Sequence, residues 1–108
     1  MSEIDDEVKS LIEAVMKSKT YMEYDRQRNL LNENPELKQQ VNTYRQEIFA
    51  LQNDKNDSNI ERRMDEFADR YADFLEDTRV SAFLDAENNL CKMMQELTDK
   101  VVSSLNFE

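Results

Sequence analysis

The chain has 108 residues and contains no glycine, and its only proline is Pro35. Glycine commonly marks the ends of helices, so in this chain other residues must mark them. Proline fits the first turn of a helix, where its missing N–H has no intrahelical partner, and it disfavours helical geometry in the residue before it. Asn34 can cap that turn, and Glu36 places negative charge at its positive end. The segment 34–36 therefore predicts a corner between two helices.

Further start and stop signals divide the rest of the chain. Residues 20–23 and residues 58–61 have the spacing of capping boxes, and residues 77–78 offer another helix start. Asn32 and Asn53 are predicted to end helices in the left-handed conformation, in place of glycine. The sequence thus predicts five helices, at roughly 3–18, 21–32, 35–52, 59–76 and 79–105.

Apolar residues step by four and three along the third and fourth predicted helices, a spacing typical of helices that pack at shallow angles. These residues are Leu37, Val41, Tyr44, Ile48 and Leu51 in the third helix, and Ile60, Met64, Phe67, Tyr71 and Phe74 in the fourth. The first helix shows the same step at Ile4, Val8, Leu11 and Val15. Two equal arms joined by the polar loop 53–58 predict a long antiparallel helical hairpin. The expected fold is all-α, a bundle of about five helices forming one domain over residues 1–108.

The last predicted helix carries apolar residues over about half of its circumference. An arc this wide predicts neighbours on more than one side, which are either additional core or a second copy in a homodimer. The candidate dimer-interface residues are Phe83, Leu90, Met93, Met94, Leu97 and Val101. Cys91 lies in the same arc and is interpreted as a small buried hydrophobic residue. Phe49 points away from the seam of the third helix, and the same two explanations apply to it.

The net charge of −10, from 24 acidic and 14 basic residues, argues against direct binding to nucleic acid or to an anionic membrane surface. No apolar run approaches the ~20 residues of a membrane span, and the acidic first residues lack the features of a secretory signal. A single cysteine cannot form an internal disulfide. We therefore expect a cytoplasmic protein.

Residues that usually carry catalysis are scarce. The chain has no histidine and only one cysteine, which excludes an imidazole base, a Ser–His nucleophile and a thiolate metal site. Phosphate-binding loops of the glycine-rich kind are excluded as well. The sequence predicts no enzymatic activity and no cofactor, although an acidic enzyme with a carboxylate metal site stays open as an alternative.

Two groups of acidic residues could bind a cation or a partner. Residues 54–65 place oxygen ligands where a calcium loop needs them, but Asn59 stands where the turn requires glycine, and Asp65 replaces the bidentate glutamate. A helix start explains this stretch better. The second group lies nearly opposite the apolar seam of the fourth helix, and consists of Asp65, Asp69, Asp73 and Glu76. Its interpretation is a solvated surface, with a docking face for a basic protein partner as the functional alternative.

Two segments together resemble a known family. Residues 8–52 contain a helix with two tyrosines, the "NPE" corner and a helix rich in glutamine and leucine. Residues 79–105 contain the pattern "V..F..AE..L", formed by Val80, Phe83, Ala86, Glu87 and Leu90. In order and spacing these features resemble the YlbF/YmcA family of small helical proteins from Gram-positive bacteria.

The resemblance implies an all-helical, self-associating protein without catalytic activity. Family members act in protein complexes that influence competence, biofilm formation and sporulation, some of them by adapting an endoribonuclease to its transcripts. Some carry additional cysteines that hold iron–sulfur clusters, and this chain departs from them by having Cys91 alone.

The leading hypothesis is therefore a non-enzymatic regulatory adaptor in the cytoplasm. Its expected partners are proteins, namely a second copy of the chain, related helical regulators or a ribonuclease. The alternatives are a helical holdase or assembly chaperone that offers Met93 and Met94 to clients, or a short paralogue with a different role.

Overall fold

The computed structural model describes residues 2–54 and 58–105, and all regular secondary structure within these ranges is helical. The predicted all-α fold class is confirmed. The described residues form α1 (Glu3–Met16), α2 (Lys19–Asn32), α3 (Pro35–Gln52), α4 (Ile60–Arg70), α5 (Ala72–Glu76) and α6 (Thr78–Ser104).

These helices belong to two compact units, and each unit is described by itself. Unit 1 consists of Met1–Asn29 and Phe83–Glu108, and unit 2 consists of Leu30–Ala82. Both boundaries fall inside helices, so α2 and α6 each contribute residues to both units. The assignment of residues 1–108 to one domain stays a prediction.

The corner predicted at the only proline is present in unit 2. The Asn34 side-chain oxygen accepts a hydrogen bond from the Leu37 N–H at 3.2 Å, and Pro35 is the first residue of α3. The backbone of Asn34 is non-helical, with φ −125° and ψ 84°, as expected for a residue before proline. The bounds predicted for the third helix are confirmed at both ends.

Helices α3 and α4 run antiparallel. Arg63 in α4 pairs with Asp54, just beyond the end of α3, at 2.8 Å, whereas Arg70 at the end of α4 pairs with Glu47 at 2.7 Å. Moving forward along α4 therefore means moving backward along α3. The predicted antiparallel hairpin is confirmed, while part of its connecting loop, residues 55–57, lies outside the described residues.

The apolar seam predicted for α3 faces the interior of unit 2, where Val41 is completely buried. Beside it, the Tyr44 ring meets three aromatic rings, with centroid distances of 5.5 Å to Phe67, 5.1 Å to Tyr71 and 5.9 Å to Phe74. Aromatic rings at such separations stabilise a fold beyond the apolar area they bury. This cluster joins α3 to both α4 and α5.

The fourth predicted helix, 59–76, is wrong in one respect, because the structure interrupts it at Tyr71. This residue has φ −100° and ψ 6°, outside the α-helical range, and it separates α4 from α5. Neither glycine nor proline stands nearby, so the local sequence does not signal the interruption. The Tyr71 ring packs against Tyr44 at 5.1 Å and against Phe74 at 5.7 Å, which places the break within the aromatic cluster.

Both predicted capping boxes are wrong. The hydroxyl of Ser18 accepts a hydrogen bond from the Tyr21 N–H at 3.1 Å, so Ser18 and not Thr20 caps α2. Helix α4 follows Asn59, one residue later than predicted from Ser58. A capping-box spacing describes which residues could cap a helix, but the backbone of the preceding turn decides which of them does.

The left-handed conformation predicted for Asn53 is wrong, because this residue ends α3 with φ −98° and ψ 4°, on the right-handed side. Asn32 is the last residue of α2, so the predicted end of that helix is confirmed. The start predicted at residues 77–78 is confirmed, since Asp77 accepts a hydrogen bond from the Arg79 N–H at 2.9 Å immediately before α6.

Unit 1 buries fewer side chains. Phe83 is 3% exposed and its ring lies 6.0 Å from the Tyr24 ring. The buried amide of Gln27 donates a hydrogen bond to Glu23 at 2.9 Å, so this polar group is satisfied. Helix α1, all of which is described, contains no buried residue.

We expect Asn34→Ala to lower the free energy of unfolding by about 1 kcal/mol, because it removes the cap of α3. Pro35→Ala should cost at most about 1 kcal/mol, since the cap remains and only the rigidity of the unfolded chain changes. Urea denaturation followed by circular dichroism measures both. Unfolding of the chain by Pro35→Ala would contradict the corner and place Pro35 inside one longer helix.

A second prediction concerns acid stability at the start of α6. The Arg79 side chain, together with the Arg79 N–H, lowers the pKa of Asp77 to about 2. A carboxylate in an unfolded chain titrates near 3.9, so this one stabilises the fold above about pH 4 and loses that effect as the pH falls toward 2. Asp77→Asn keeps the cap and removes the charge. The thermal midpoint of the variant should be lower at pH 6 and should converge with that of the natural chain near pH 2. A constant difference across this range would show that Arg79 does not act through the carboxylate charge.

Candidate functional site

Exposed large apolar side chains are distributed unequally between the two units. Among the described residues, three belong to unit 2, namely Leu30, Phe49 and Met64. Ten belong to unit 1, namely Ile4, Val8, Leu11, Ile12, Met16, Met22, Met94, Val101, Val102 and Leu105. Unit 1 therefore carries most of the apolar surface that water contacts.

Five of the ten exposed apolar residues of unit 1 lie on α1. The predicted stripe is present along one side of this helix, but most of it faces solvent: Ile4 is 73% exposed, Val8 is 47% exposed and Leu11 is 41% exposed, whereas Val15 is half-buried. Acidic residues dominate the rest of the helix, which has Glu3, Asp5 and Asp6 in its first turn. Helix α1 thus presents an apolar stripe with acidic borders.

The stripe borders an open groove between α1 and α6, within unit 1. The groove has a volume of about 250 Å³, and it is lined by Leu11, Ala14, Val15, Ser18, Met93, Glu96, Leu97 and Lys100. A second depression, of about 370 Å³, continues along α1 and is lined by Glu3, Ile4, Glu7, Val8 and Leu11. Leu11 is common to both, so we treat them as one surface and call it the α1–α6 groove.

The structure separates the six candidate dimer residues into three groups. Phe83 is buried against Tyr24 and belongs to the core of unit 1. Three others are half-buried: Leu90, Met93 and Leu97. Met94 is 40% exposed and Val101 is 51% exposed, so these two are the most exposed of the six.

The interpretation of Cys91 as a buried residue is wrong, since its side chain is exposed. The wide apolar arc of α6 includes this position, but only part of the arc is covered by other residues of the chain. A sequence pattern identifies the apolar arc and does not show which part of it has a neighbour.

The four candidate partner-face residues are all exposed. Asp65 and Asp69 lie on α4, and Asp73 and Glu76 lie on α5 beyond the interruption. None of the four forms an ion pair with another described residue. Their charges are therefore available to a partner, and we call this group the acidic face.

The calcium-loop alternative uses Asn56 as its third ligand position, and this residue lies outside the described residues. Asp54, the first ligand position of that loop, pairs with Arg63 at 2.8 Å. Within residues 2–54 and 58–105, no group of three or more histidine, cysteine, aspartate or glutamate side chains could hold a metal ion.

Arg70 organises the hairpin beneath the acidic face. Its guanidinium lies 5.6 Å from the centre of the Phe67 ring and 5.3 Å from that of Tyr71, and it bonds to Glu47 at 2.7 Å. Burial, together with a hydrogen bond to Glu47, raises the pKa of the Tyr71 hydroxyl. Sequence reasoning missed this arrangement, because residues 47 and 70 are far apart along the chain and no periodic pattern pairs them.

A search of the described helices finds none with the length and apolarity needed to cross a membrane. The fold and the surfaces above define a small all-α protein with an exposed apolar groove and an exposed acidic face.

A family model described as "Control of competence regulator ComK, YlbF/YmcA" matches residues 4–106, and the chain belongs to this family. The match spans parts of both units. It confirms the resemblance to this family that the sequence features indicated. No curated protein and no solved structure shows significant similarity to the chain.

Proposed function

We propose that the protein is a non-enzymatic regulatory adaptor that acts in the cytoplasm through complexes with other proteins. The description of its family, control of the competence regulator ComK, supports a regulatory role. The observation that carries the proposal is the apolar stripe of α1, from which not one residue is buried. A continuous apolar stripe open to water is typical of a surface that binds another protein.

One proposed contact is self-association through α6. Met94 and Val101 lie seven residues apart, on the same side of the helix, and both are exposed. Their burial against the same residues of a second copy would give the symmetric contact that is commonest among homodimers.

For this contact we expect light scattering after size exclusion to give about twice the chain mass of 12.9 kDa. The double change Met94→Glu and Val101→Glu should shift the protein to a monomer, because unpaired charges in an apolar contact cost several kcal/mol, order of magnitude. The control is Leu30→Glu with Met64→Glu, which places the same two charges on exposed positions of unit 2. A monomeric natural chain at micromolar concentration would contradict self-association.

A second proposed contact is made by the acidic face with a basic surface of a partner. Residues 53–77 contain nine acidic and four basic residues, a net charge of −5 and half of the total of −10. Clustered charge of one sign adds self-repulsion and is not needed for solubility alone. Charge of this kind steers association and is screened by salt over about 8–10 Å. Related helical regulators and a ribonuclease are the partners that the family resemblance suggests.

The experiment begins with a pulldown from the native host and identification of the bound proteins by mass spectrometry. The double change Asp69→Lys and Asp73→Lys should then slow association with the recovered partner at low salt, and less so at high salt. Gln39→Lys with Gln46→Lys adds two positive charges to exposed positions of α3 and should matter less. If both variants associate at the same rate at low salt, the acidic face is solvated surface only.

The holdase alternative rests on exposed methionines, which adapt to varied apolar clients. Met16, Met22 and Met94 are 51%, 55% and 40% exposed. Suppression of the aggregation of an unrelated client protein at stoichiometric concentration would favour a holdase over an adaptor.

A further inference from the structure

We infer that the α1–α6 groove binds an amphipathic helix of a partner protein, whose apolar stripe is bordered by lysine or arginine residues. This inference rests on the proposed adaptor function and adds to it the chemistry of one partner segment. It concerns unit 1 and is separate from the acidic face of unit 2.

The shape of the groove suits a helix. Leu11 and Val15 form its α1 wall, four residues apart, and Met93 and Leu97 form its α6 wall with the same spacing. Two rows of apolar residues at this spacing form a channel into which the side chains of a third helix can pack. Ile4 and Val8 extend the α1 row, so an occupant would gain contacts along the whole of this helix.

The charges around the groove indicate what borders the stripe of the occupant. Glu3, Glu7 and Glu96 line the groove, whereas Lys100 is its only basic lining residue among the described positions. None of the three glutamates forms an ion pair with a described residue. A helix with basic borders would place opposite charges against them, and one with acidic borders would be repelled.

The α1 helix of a second copy fits this groove poorly. Helix α1 holds five acidic residues and only one basic residue, Lys9, so pairing two α1 helices would bring like charges together. The two residues proposed for self-association, Met94 and Val101, do not line the groove. Consecutive residues of a helix point about 100° apart, so Met94 points well away from Met93, which lines the groove.

The direct test uses synthetic peptides of 14 residues, the length of α1. The first has leucines at helical spacing i, i+3, i+4, i+7 and lysines elsewhere. The second replaces the lysines with glutamates, and the third keeps the composition of the first but scrambles the leucines. Each is labelled and titrated with the full chain, and binding is followed by fluorescence anisotropy. We expect the first peptide to bind at least about tenfold more tightly than either of the others, a difference of about 1.4 kcal/mol.

Protein variants locate the site. Val8→Gln with Leu11→Gln should weaken binding of the lysine peptide about tenfold, while circular dichroism shows an unchanged fold because both positions are exposed. Glu3→Gln with Glu7→Gln should weaken binding severalfold at low salt and less at high salt. The matched control is Asp65→Asn with Asp69→Asn, which removes the same charge from α4 and should leave peptide affinity unchanged.

Three results would overturn the inference. Equal binding of the lysine and glutamate peptides would remove the charge argument. Equal weakening by the α4 control would show attraction to the acidic chain as a whole. Loss of the dimer in Val8→Gln with Leu11→Gln, without peptide binding by the natural chain, would assign the groove to a second copy. In each case, the adaptor function would still be supported if binding of a host partner depends on Asp69 and Asp73. Failure of this inference is therefore distinguishable from failure of the proposed function.

Discussion

The packing of the Tyr44 ring against Phe67, Tyr71 and Phe74 is the interaction on which unit 2 depends most. Tyr44 lies on α3, Phe67 lies on α4 and Phe74 lies on α5, while Tyr71 is the residue between α4 and α5. Arg70 closes this cluster from outside by pairing with Glu47 while lying over two of the rings. The cluster thus joins α3 to α4 and α5, the two helices that carry the acidic face.

Unit 1, in contrast, buries few side chains and exposes many apolar ones. Its buried described residues are Gln27, Phe83 and Ala86, whereas ten of its large apolar side chains are exposed. Apolar surface left in water is a source of binding free energy, at roughly 25 cal/mol for each Å² that a partner removes from solvent. We therefore regard unit 2 as the internally stabilised part of the molecule and unit 1 as the part suited to association. In the proposed adaptor, the two units would supply different kinds of contact, steering by charge and burial of apolar surface.

Local structure could be predicted from the sequence where it depends on residues that are close together in the chain. The corner at Asn34 was predictable because a cap and a proline act within one helical turn. The seam of α3 was predictable because a helix repeats its faces with a fixed period. The capping box predicted at Thr20 failed although the rule is sound, because Ser18 offers an equivalent hydroxyl two residues earlier. The four acidic-face residues were placed on the exposed side correctly, since they lie opposite the apolar seam of the fourth predicted helix.

The sequence by itself determined the all-α class, the bounds of α3, the antiparallel hairpin and the family. These follow from periodicity, from capping and from short-range charge, all of which are properties of neighbouring residues. Only the tertiary structure decided that Tyr71 interrupts the fourth predicted helix, that Arg70 pairs with Glu47, that Phe83 is buried and Cys91 exposed, and that most of the α1 stripe faces water. An apolar stripe shows that a helix has a side to bury. Whether that side is covered depends on which other elements lie beside it, and that is settled by packing between segments distant in the chain.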